Sequence, residues 1–119
     1  MYNIQHCRLA GLADLNQDNA YVGNYLLSWI KGIVETFGFD GIRIDTVPEV
    51  IPSFWKQYTD SAGVFATGEV FDGDFGYVAS FIPSLGSVLN YPWYFNIRDL
   101  FVNQKDMWAA RIYYSNWAA

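Results

Sequence analysis

The sequence predicts an α/β protein whose strands are parallel. Two strand-like segments, residues 39–45 and 64–70, carry a carboxylate near their ends, Asp45 in the first and Glu69 in the second. A turn and one short helical stretch lie between them, and such a β-α-β crossover sets two parallel strands in one sheet. A longer stretch with apolar residues at helical spacing precedes the first strand. This alternation of strands and helices is typical of α/β folds.

The first helix is predicted from its caps and its apolar face. Residues 1–17 are interpreted as a loop, with residues 12–16 as its most ordered part. Asp18 or Asn19 is the candidate N-cap, and Gly38 stands where a helix ends in a left-handed glycine. The apolar residues at helical spacing are Val22, Leu26, Ile30, Ile33, Val34 and Phe37.

A second helix is predicted between the two carboxylate strands, over about residues 52–61. Pro52 or Ser53 lies near its start and Gly63 past its end, as the preferences of helix termini require. The remaining predictions are a loop over 72–84, a third strand over 87–91, a helix over 93–102 and a helical tail over 107–114.

Composition limits the classes of protein that fit. A chain of 119 residues, of which 52% are hydrophobic and 16% charged, predicts one ordered domain at most. The net charge of −5, without a cluster of Lys or Arg, argues against a nucleic-acid partner. Aromatic residues make up 19% of the chain, which suits a core and also suits stacking on sugars at the rim of a cleft.

The single cysteine and the search for targeting signals say little about function. Cys7 has no second cysteine to pair with, so no internal disulfide is predicted. The first residues lack an apolar core of the kind found in signal peptides, and no apolar run is long enough to span a bilayer. No protein partner is evident from the sequence.

The ends of the two strands predict a reactive pair of carboxylates. Because side chains alternate along a strand, Arg43 and Asp45 share one face, which we expect to point inward. Glu69 ends the second strand, and neighbouring strands lie about 4.8 Å apart. The two carboxyls are then close to the roughly 5–5.5 Å separation of retaining glycosidases. A structural ion pair of Arg43 with Asp45, with Glu69 incidental, is the alternative.

At these residues the chain resembles the α-amylase family, glycoside hydrolase family 13. Residues 41–45, Gly-Ile-Arg-Ile-Asp, match its nucleophile strand, and residues 68–70, Gly-Glu-Val, match its acid/base strand. Residues 12–16 are similar to the short segment that precedes the nucleophile strand. Residues 89–92, Leu-Asn-Tyr-Pro, are similar to fungal-type α-amylases and their protist relatives.

The resemblance implies a role for each matching residue. Asp45 would be the nucleophile, Arg43 its positioning partner at the substrate, and Glu69 the general acid and then base. Phe71 stands where the family lines the leaving-group side, either as a sugar platform or as plain packing. The implied reaction is retaining hydrolysis of α-1,4-glucosidic bonds in an α-glucan such as starch or glycogen.

The resemblance also implies a structural calcium ion. Asp14 matches a family ligand of this ion, whose other ligands lie largely upstream of the chain. Many fungal-type members follow the nucleophile with Thr-Val-Lys-His, whereas this chain has Thr46, Val47, Pro48 and Glu49. The leaving-side Lys is therefore absent, but Glu49 retains a backbone carbonyl with which to bind calcium.

Two further family motifs contain His, and the single His6 lies in neither context. One of these motifs supplies a third carboxylate. Residues 1–119 are therefore expected to be a fragment of a (β/α)8 barrel, approximately strands 4–6, and to be inactive alone. Full-length members are expected to be secreted. The alternatives are a non-catalytic truncated remnant, or a related α-glucosidase or transglycosylase.

Overall fold

The computed structural model describes residues 2–6 and 10–117, so Cys7 lies outside the described residues. The described part consists of helices and a two-stranded sheet. In chain order the elements are α1 (Tyr2–His6), α2 (Ala20–Phe37), β1 (Gly41–Ile44), a 3₁₀ helix (Val47–Glu49), α3 (Pro52–Ala62), β2 (Phe65–Gly68), α4 (Phe75–Ala79), α5 (Ile82–Leu85), α6 (Tyr91–Phe101) and α7 (Met107–Trp117).

The sheet is the β-α-β unit that the sequence predicts. Strands β1 and β2 pair in parallel, with Ile44 opposite Gly68 at their carboxyl ends, and α3 forms the crossover. The ladder continues past the strands, because the amide of Glu69 donates to the carbonyl of Ile44 at 2.8 Å. The amide of Val47 in turn donates to the carbonyl of Glu69 at 3.1 Å. These two bonds make Asp45 and Glu69 the next opposing pair at this edge of the sheet.

The predicted third strand is reduced to a single bridge. Val88 pairs in parallel with Gly68, whose amide donates to the carbonyl of Ser87 at 3.0 Å. The amide of Leu89 donates to the carbonyl of Gly68 at 2.9 Å. Tyr91, which was predicted to end this strand, instead begins α6, because the side chain of Asn90 accepts from the amide of Trp93 and caps the helix.

Two segments that the sequence predicts as loops contain helices. The prediction for residues 72–84 was wrong, because α4 and most of α5 lie there, and Val78, Phe81 and Leu85 are buried in the core. The Asp74 side chain accepts from the amide of Tyr77 at 2.6 Å and caps α4. The loop over residues 1–17 is also interrupted, by α1, which packs against the 3₁₀ helix.

Helices α2 and α3 begin and end close to where the sequence predicts. Asn19 caps α2 by accepting from the amide of Tyr21 at 3.0 Å, and Gly38 ends it at φ 65°. Helix α3 starts at Pro52 and is followed by Gly63 at φ 66°. The glycines fit because a left-handed backbone excludes most residues that carry a Cβ. The tail is helical as predicted, over Met107–Trp117.

The apolar core lies on one face of the sheet. Alternate strand residues, Ile44 of β1 and Ala66 of β2, are buried there under α3, α4 and α5. The members of this cluster are Ile44, Val47, Phe54, Trp55, Ala66, Val70, Val78, Phe81 and Leu85. A smaller cluster joins α2 to α3 through Ile30, Val34 and Ala62. Along the described residues, no helix combines the length and the apolar character that crossing a membrane would demand.

Gly68 is the point of closest approach between the sheet and its helices. A Cβ at this position would overlap the side chain of Leu85 and would lie 2.9 Å from Cγ2 of Val47. Only glycine therefore lets α5 and the 3₁₀ helix pack against the strand directly before Glu69.

Candidate active site

Strand β1 presents Arg43 and Asp45 on the face opposite the core. Ile44 between them is buried, which fixes the direction of its two neighbours. The side chain of Arg43 is 50% exposed and that of Asp45 is 66% exposed. The sequence predicts that this face points inward, whereas in this structure the face is open to solvent.

The guanidinium of Arg43 joins the two predicted carboxylates. Its Nη1 lies 2.6 Å from Oδ1 of Asp45, and its Nη2 lies 3.0 Å from Oε1 of Glu69. A planar guanidinium has a fork of fixed donors that suits two carboxylates at once. The predicted trio is therefore brought together at the carboxyl ends of the adjacent strands.

The electrostatics keep Asp45 ionised. Hydrogen bonds with Glu69 first, and then with Arg43, lower the pKa of Asp45 below its usual 3.8. The bond to Asp45 in turn raises the pKa of Arg43. An ionised carboxylate is the form that a retaining glycosidase needs in its nucleophile.

The backbone after β1 also reaches the site. Thr46 has a left-handed backbone at φ 46°, which is uncommon for a β-branched residue and indicates strain held by its surroundings. Its amide donates to Oε2 of Glu69 at 3.3 Å. The next residue, Val47, is fully buried, and its carbonyl accepts from the indole of Trp55 at 2.8 Å. Helix α3 thus anchors the turn that follows Asp45.

Glu69 has one further partner, which comes from α6. The hydroxyl of Tyr91 donates to Oε1 of Glu69 at 2.8 Å, and this bond raises the pKa of Tyr91. The Glu69 side chain is only 17% exposed, whereas that of Asp45 is open. The two carboxyls therefore have different surroundings although they share one guanidinium.

A cleft of about 250 Å³ runs beside Glu69, and Thr46, Glu49 and Phe71 contribute to its lining. Phe71 is 64% exposed, and its ring packs edge-on against Tyr91 with 4.8 Å between the ring centroids. The position combines a solvent-facing ring with an aromatic support, and the role of Phe71 stays a prediction.

The two residues predicted to bind metal lie together. Asp14 and Glu49 line one pocket of about 240 Å³, next to Thr46. Both supply oxygen, the atom that calcium prefers. In the ranges 2–6 and 10–117 no group of three or more His, Cys, Asp or Glu is placed to hold a metal ion. Calcium binding by Asp14 and Glu49 therefore stays a prediction.

Sequence reasoning missed Tyr91 and Thr46 as parts of the site. A signal for Tyr91 was present, because it ends the strand predicted over 87–91, and side chains at the carboxyl ends of parallel strands gather at one edge of a sheet. Thr46 contributes only its backbone amide, so nothing about its side chain in the sequence indicates this role.

Known proteins with similar sequences include several amylases. The chain is 36% identical over 115 residues to the β/α-amylase of Paenibacillus polymyxa, covering 97% of this chain and 10% of that protein. It is 37% identical over 103 residues to α-amylase 1 of Lipomyces kononenkoae, covering 83% of this chain and 16% of that one. No protein-family model matches the chain.

The solved structures agree. An α-amylase from Malbranchea cinnamomea superposes with a TM-score of 0.80 at 33% identity, over 84% of this chain and 22% of that one. An Anoxybacillus α-amylase gives a TM-score of 0.81 at 29% identity, over 84% and 24%. α-Amylases have a (β/α)8 barrel, of which this chain has a helical layer and one parallel strand pair. The chain belongs to the α-amylase family and matches a short central part of its larger members.

Proposed function

We propose that this chain is the central segment of a larger α-glucan hydrolase, and that it carries the nucleophile and the acid/base. The observation on which the proposal rests is the guanidinium of Arg43, which contacts Asp45 at 2.6 Å and Glu69 at 3.0 Å. Relatives named α-amylases support a glycoside hydrolase in general. The reaction class, retaining hydrolysis of α-1,4-glucosidic bonds in starch or glycogen, is the finer part of the proposal.

In the first step a bond forms between a carboxylate oxygen of Asp45 and the anomeric carbon. The bond from that carbon to the glycosidic oxygen breaks, and the proton of Glu69 moves to the departing oxygen. In the second step the ionised Glu69 takes a proton from water, whose oxygen attacks the anomeric carbon and releases Asp45. Arg43 keeps Asp45 ionised and aimed before it attacks, and again after it is released.

Calcium would be held next to this machinery by the carboxylate of Asp14 and the carbonyl of Glu49, which line one pocket with Thr46. The ion would supply rigidity to the turn after Asp45, with the other ligands coming from elsewhere in the complete protein. If so, calcium should raise the melting temperature of that protein, and Asp14→Asn should weaken the rise. An unchanged rise would remove Asp14 from the ligand set.

The position of these strands within a (β/α)8 barrel is also part of the proposal. Strands β1 and β2 and the bridge at Val88 would be approximately strands 4–6, with α3 as the helix between the first two. The third carboxylate would then come from outside residues 1–119. On this basis the isolated chain has no glucan-hydrolysing activity, because its set of substrate-binding residues is incomplete.

The test is substitution in the complete protein that contains this chain. Asp45→Asn and Glu69→Gln nearly preserve shape and remove the nucleophile and the proton donor. Loss of general acid catalysis alone costs about 10²–10⁴-fold, and we expect at least that loss in starch hydrolysis for each variant. Azide should rescue the Asp45 variant with a product of opposite anomeric configuration.

Asp40→Asn is the matched control, because this exposed carboxylate precedes the same strand and lies away from the site. It should keep full activity. Near-normal turnover in either site variant, at an unchanged melting temperature, would remove the assignment. A wild-type protein that hydrolyses no α-glucan would favour the non-catalytic remnant.

A further inference from the structure

Glu69 has two carboxyl oxygens with unlike partners. Oε1 accepts a hydrogen bond from the hydroxyl of Tyr91 at 2.8 Å and forms an ion pair with Nη2 of Arg43 at 3.0 Å. Oε2 accepts a longer bond from the amide of Thr46, at 3.3 Å. One oxygen is therefore held by two strong donors, and the other is the one available to carry a proton.

Tyr91 is itself held firmly with respect to Glu69. The residues before it pair with Gly68, the neighbour of Glu69, through the bridge at Val88. Its ring packs edge-on against Phe71, and Asn90 caps the helix that Tyr91 begins. A hydroxyl fixed at this distance from Oε1 opposes rotation of the carboxyl group.

We propose that Tyr91 is a positioning residue for the acid/base: by holding Oε1 of Glu69 it presents Oε2, with its proton, to the leaving oxygen. The inference rests on the proposed function and deepens it. The raised pKa of Tyr91 is in accord, since the hydroxyl then stays a donor over the working range of pH. Tyr91 acts only through Glu69 in this role.

The chemistry of the leaving group separates this role from a structural one. Cleavage of a glucan requires a proton on a poor leaving oxygen, whereas fluoride departs from α-maltosyl fluoride without one. A residue that acts through the acid should therefore matter for starch and not for the fluoride. The comparison uses kcat/KM, which reports steps up to the glycosyl-enzyme, before Glu69 acts as base.

The experiment measures kcat/KM for both substrates in the complete protein and in its Tyr91→Phe variant. The substitution removes one hydroxyl and keeps the ring that packs on Phe71. Misplacement of a catalytic group by about 1 Å costs on the order of 10²-fold, and we expect a loss of about 10–10²-fold on starch. The loss should lie in kcat, with KM little changed, and α-maltosyl fluoride should react at the wild-type rate.

Tyr94→Phe is the matched control. Tyr94 lies one turn further along α6 and is exposed, and its hydroxyl has no hydrogen-bond partner among the residues described. It should leave both substrates unaffected. Equal losses on starch and fluoride in Tyr91→Phe would overturn the inference, and so would no loss on either.

A second measurement uses a double variant. In a Glu69→Gln background, Tyr91→Phe should cost nothing more on starch, because the two residues act as a unit. An additional loss of the same size as in the wild-type background would overturn the inference. A wild-type protein inactive on both substrates would overturn the proposed function and this inference together, whereas the other adverse outcomes leave the proposed function standing.

Discussion

Nη2 of Arg43 lies 3.0 Å from Oε1 of Glu69, on the neighbouring strand, while the same guanidinium contacts Asp45. The three charges thus form a unit across two strands and not a local pair within one. The alternative that Arg43 and Asp45 form a structural ion pair with Glu69 incidental gains no support from this arrangement.

Arg43→Lys should lower the activity of the complete protein even though it keeps the charge. A lysine ammonium is a single point on a flexible stem and does not reproduce a fork that spans two carboxylates. We expect kcat on starch to fall by about 10²-fold, the cost of a small misplacement. The change in melting temperature should be small, because the guanidinium is half exposed. Activity within about twofold of wild type would contradict the bridging role.

Activity at low pH should depend on Arg43. Hydrogen bonds with Glu69 and Arg43 lower the pKa of Asp45, so the nucleophile stays ionised at pH values below 3.8. Arg43→Met removes both contributions of Arg43 to the lowered pKa, its hydrogen bond and its charge, and should move the acid limb of kcat/KM to higher pH. Stabilisation from ionised Asp45 is present above pH 3.8 and is lost as the pH falls through the lower native pKa. A pH–rate profile of both proteins is the measurement, and an unmoved acid limb is the contrary result.

Gly68→Ala should destabilise the protein. The new methyl group would overlap Leu85 and come within 2.9 Å of Val47, and forcing extra carbon into a packed core costs about 1–3 kcal/mol. Activity should fall as well, because Glu69 follows directly. Gly32→Ala is the control, since a Cβ there meets nothing within 4 Å and alanine favours a helix. Thermal melts of both variants measure the difference in stability. Equal melting temperatures would contradict the close packing of Leu85 and Val47 against Gly68.

The 119-residue chain expressed by itself should associate and show no cooperative melt. Trp29 and Phe39 are about half exposed and line a groove of about 460 Å³ along β1, and Phe65 is exposed on the neighbouring strand. Exposed apolar patches beside a strand edge favour association. Light scattering and a thermal melt test this, and a soluble monomer with a sharp transition would contradict it.

The same isolated chain should release no reducing sugar from soluble starch beyond its own Asp45→Asn variant. The physical reason is that positioning of the substrate contributes about 7–11 kcal/mol to such reactions, whereas the face around Arg43 and Asp45 is open to solvent in this chain. The assay includes added calcium. Activity clearly above that of the variant would mean that the chain completes the site in some other way, for instance by association.

Local signals accounted for much of the fold. Asn19 and Gly38 bound α2, and Pro52 and Gly63 bound α3, because caps depend on residues that are neighbours in sequence. The helices within residues 72–84 could not be predicted in this way. Asp74 and Pro83 were interpreted as loop residues, whereas they start helices whose apolar side chains gain stability from a core built by distant residues.

The candidate site was predictable where it depends on the carboxyl ends of strands. Asp45 and Glu69 come together because the register of a parallel pair leaves them opposite each other. The contribution of Tyr91 depends on the bridge at Val88, a single backbone pairing where the sequence predicts a strand over 87–91 that would include Tyr91. The family roles of Phe71, Asp14 and Glu49 stay predictions.

The β1-α3-β2 crossover also has a consequence for how such sites are inherited. Nucleophile, acid and the guanidinium that joins them lie within residues 41–69, one uninterrupted stretch of polypeptide. A recombination event with both breakpoints outside that stretch transfers all three to a new gene in a single step. A breakpoint inside α3 pairs the nucleophile of one parent with the acid of another, and the progeny then keep a site only if both parents share the same strand register.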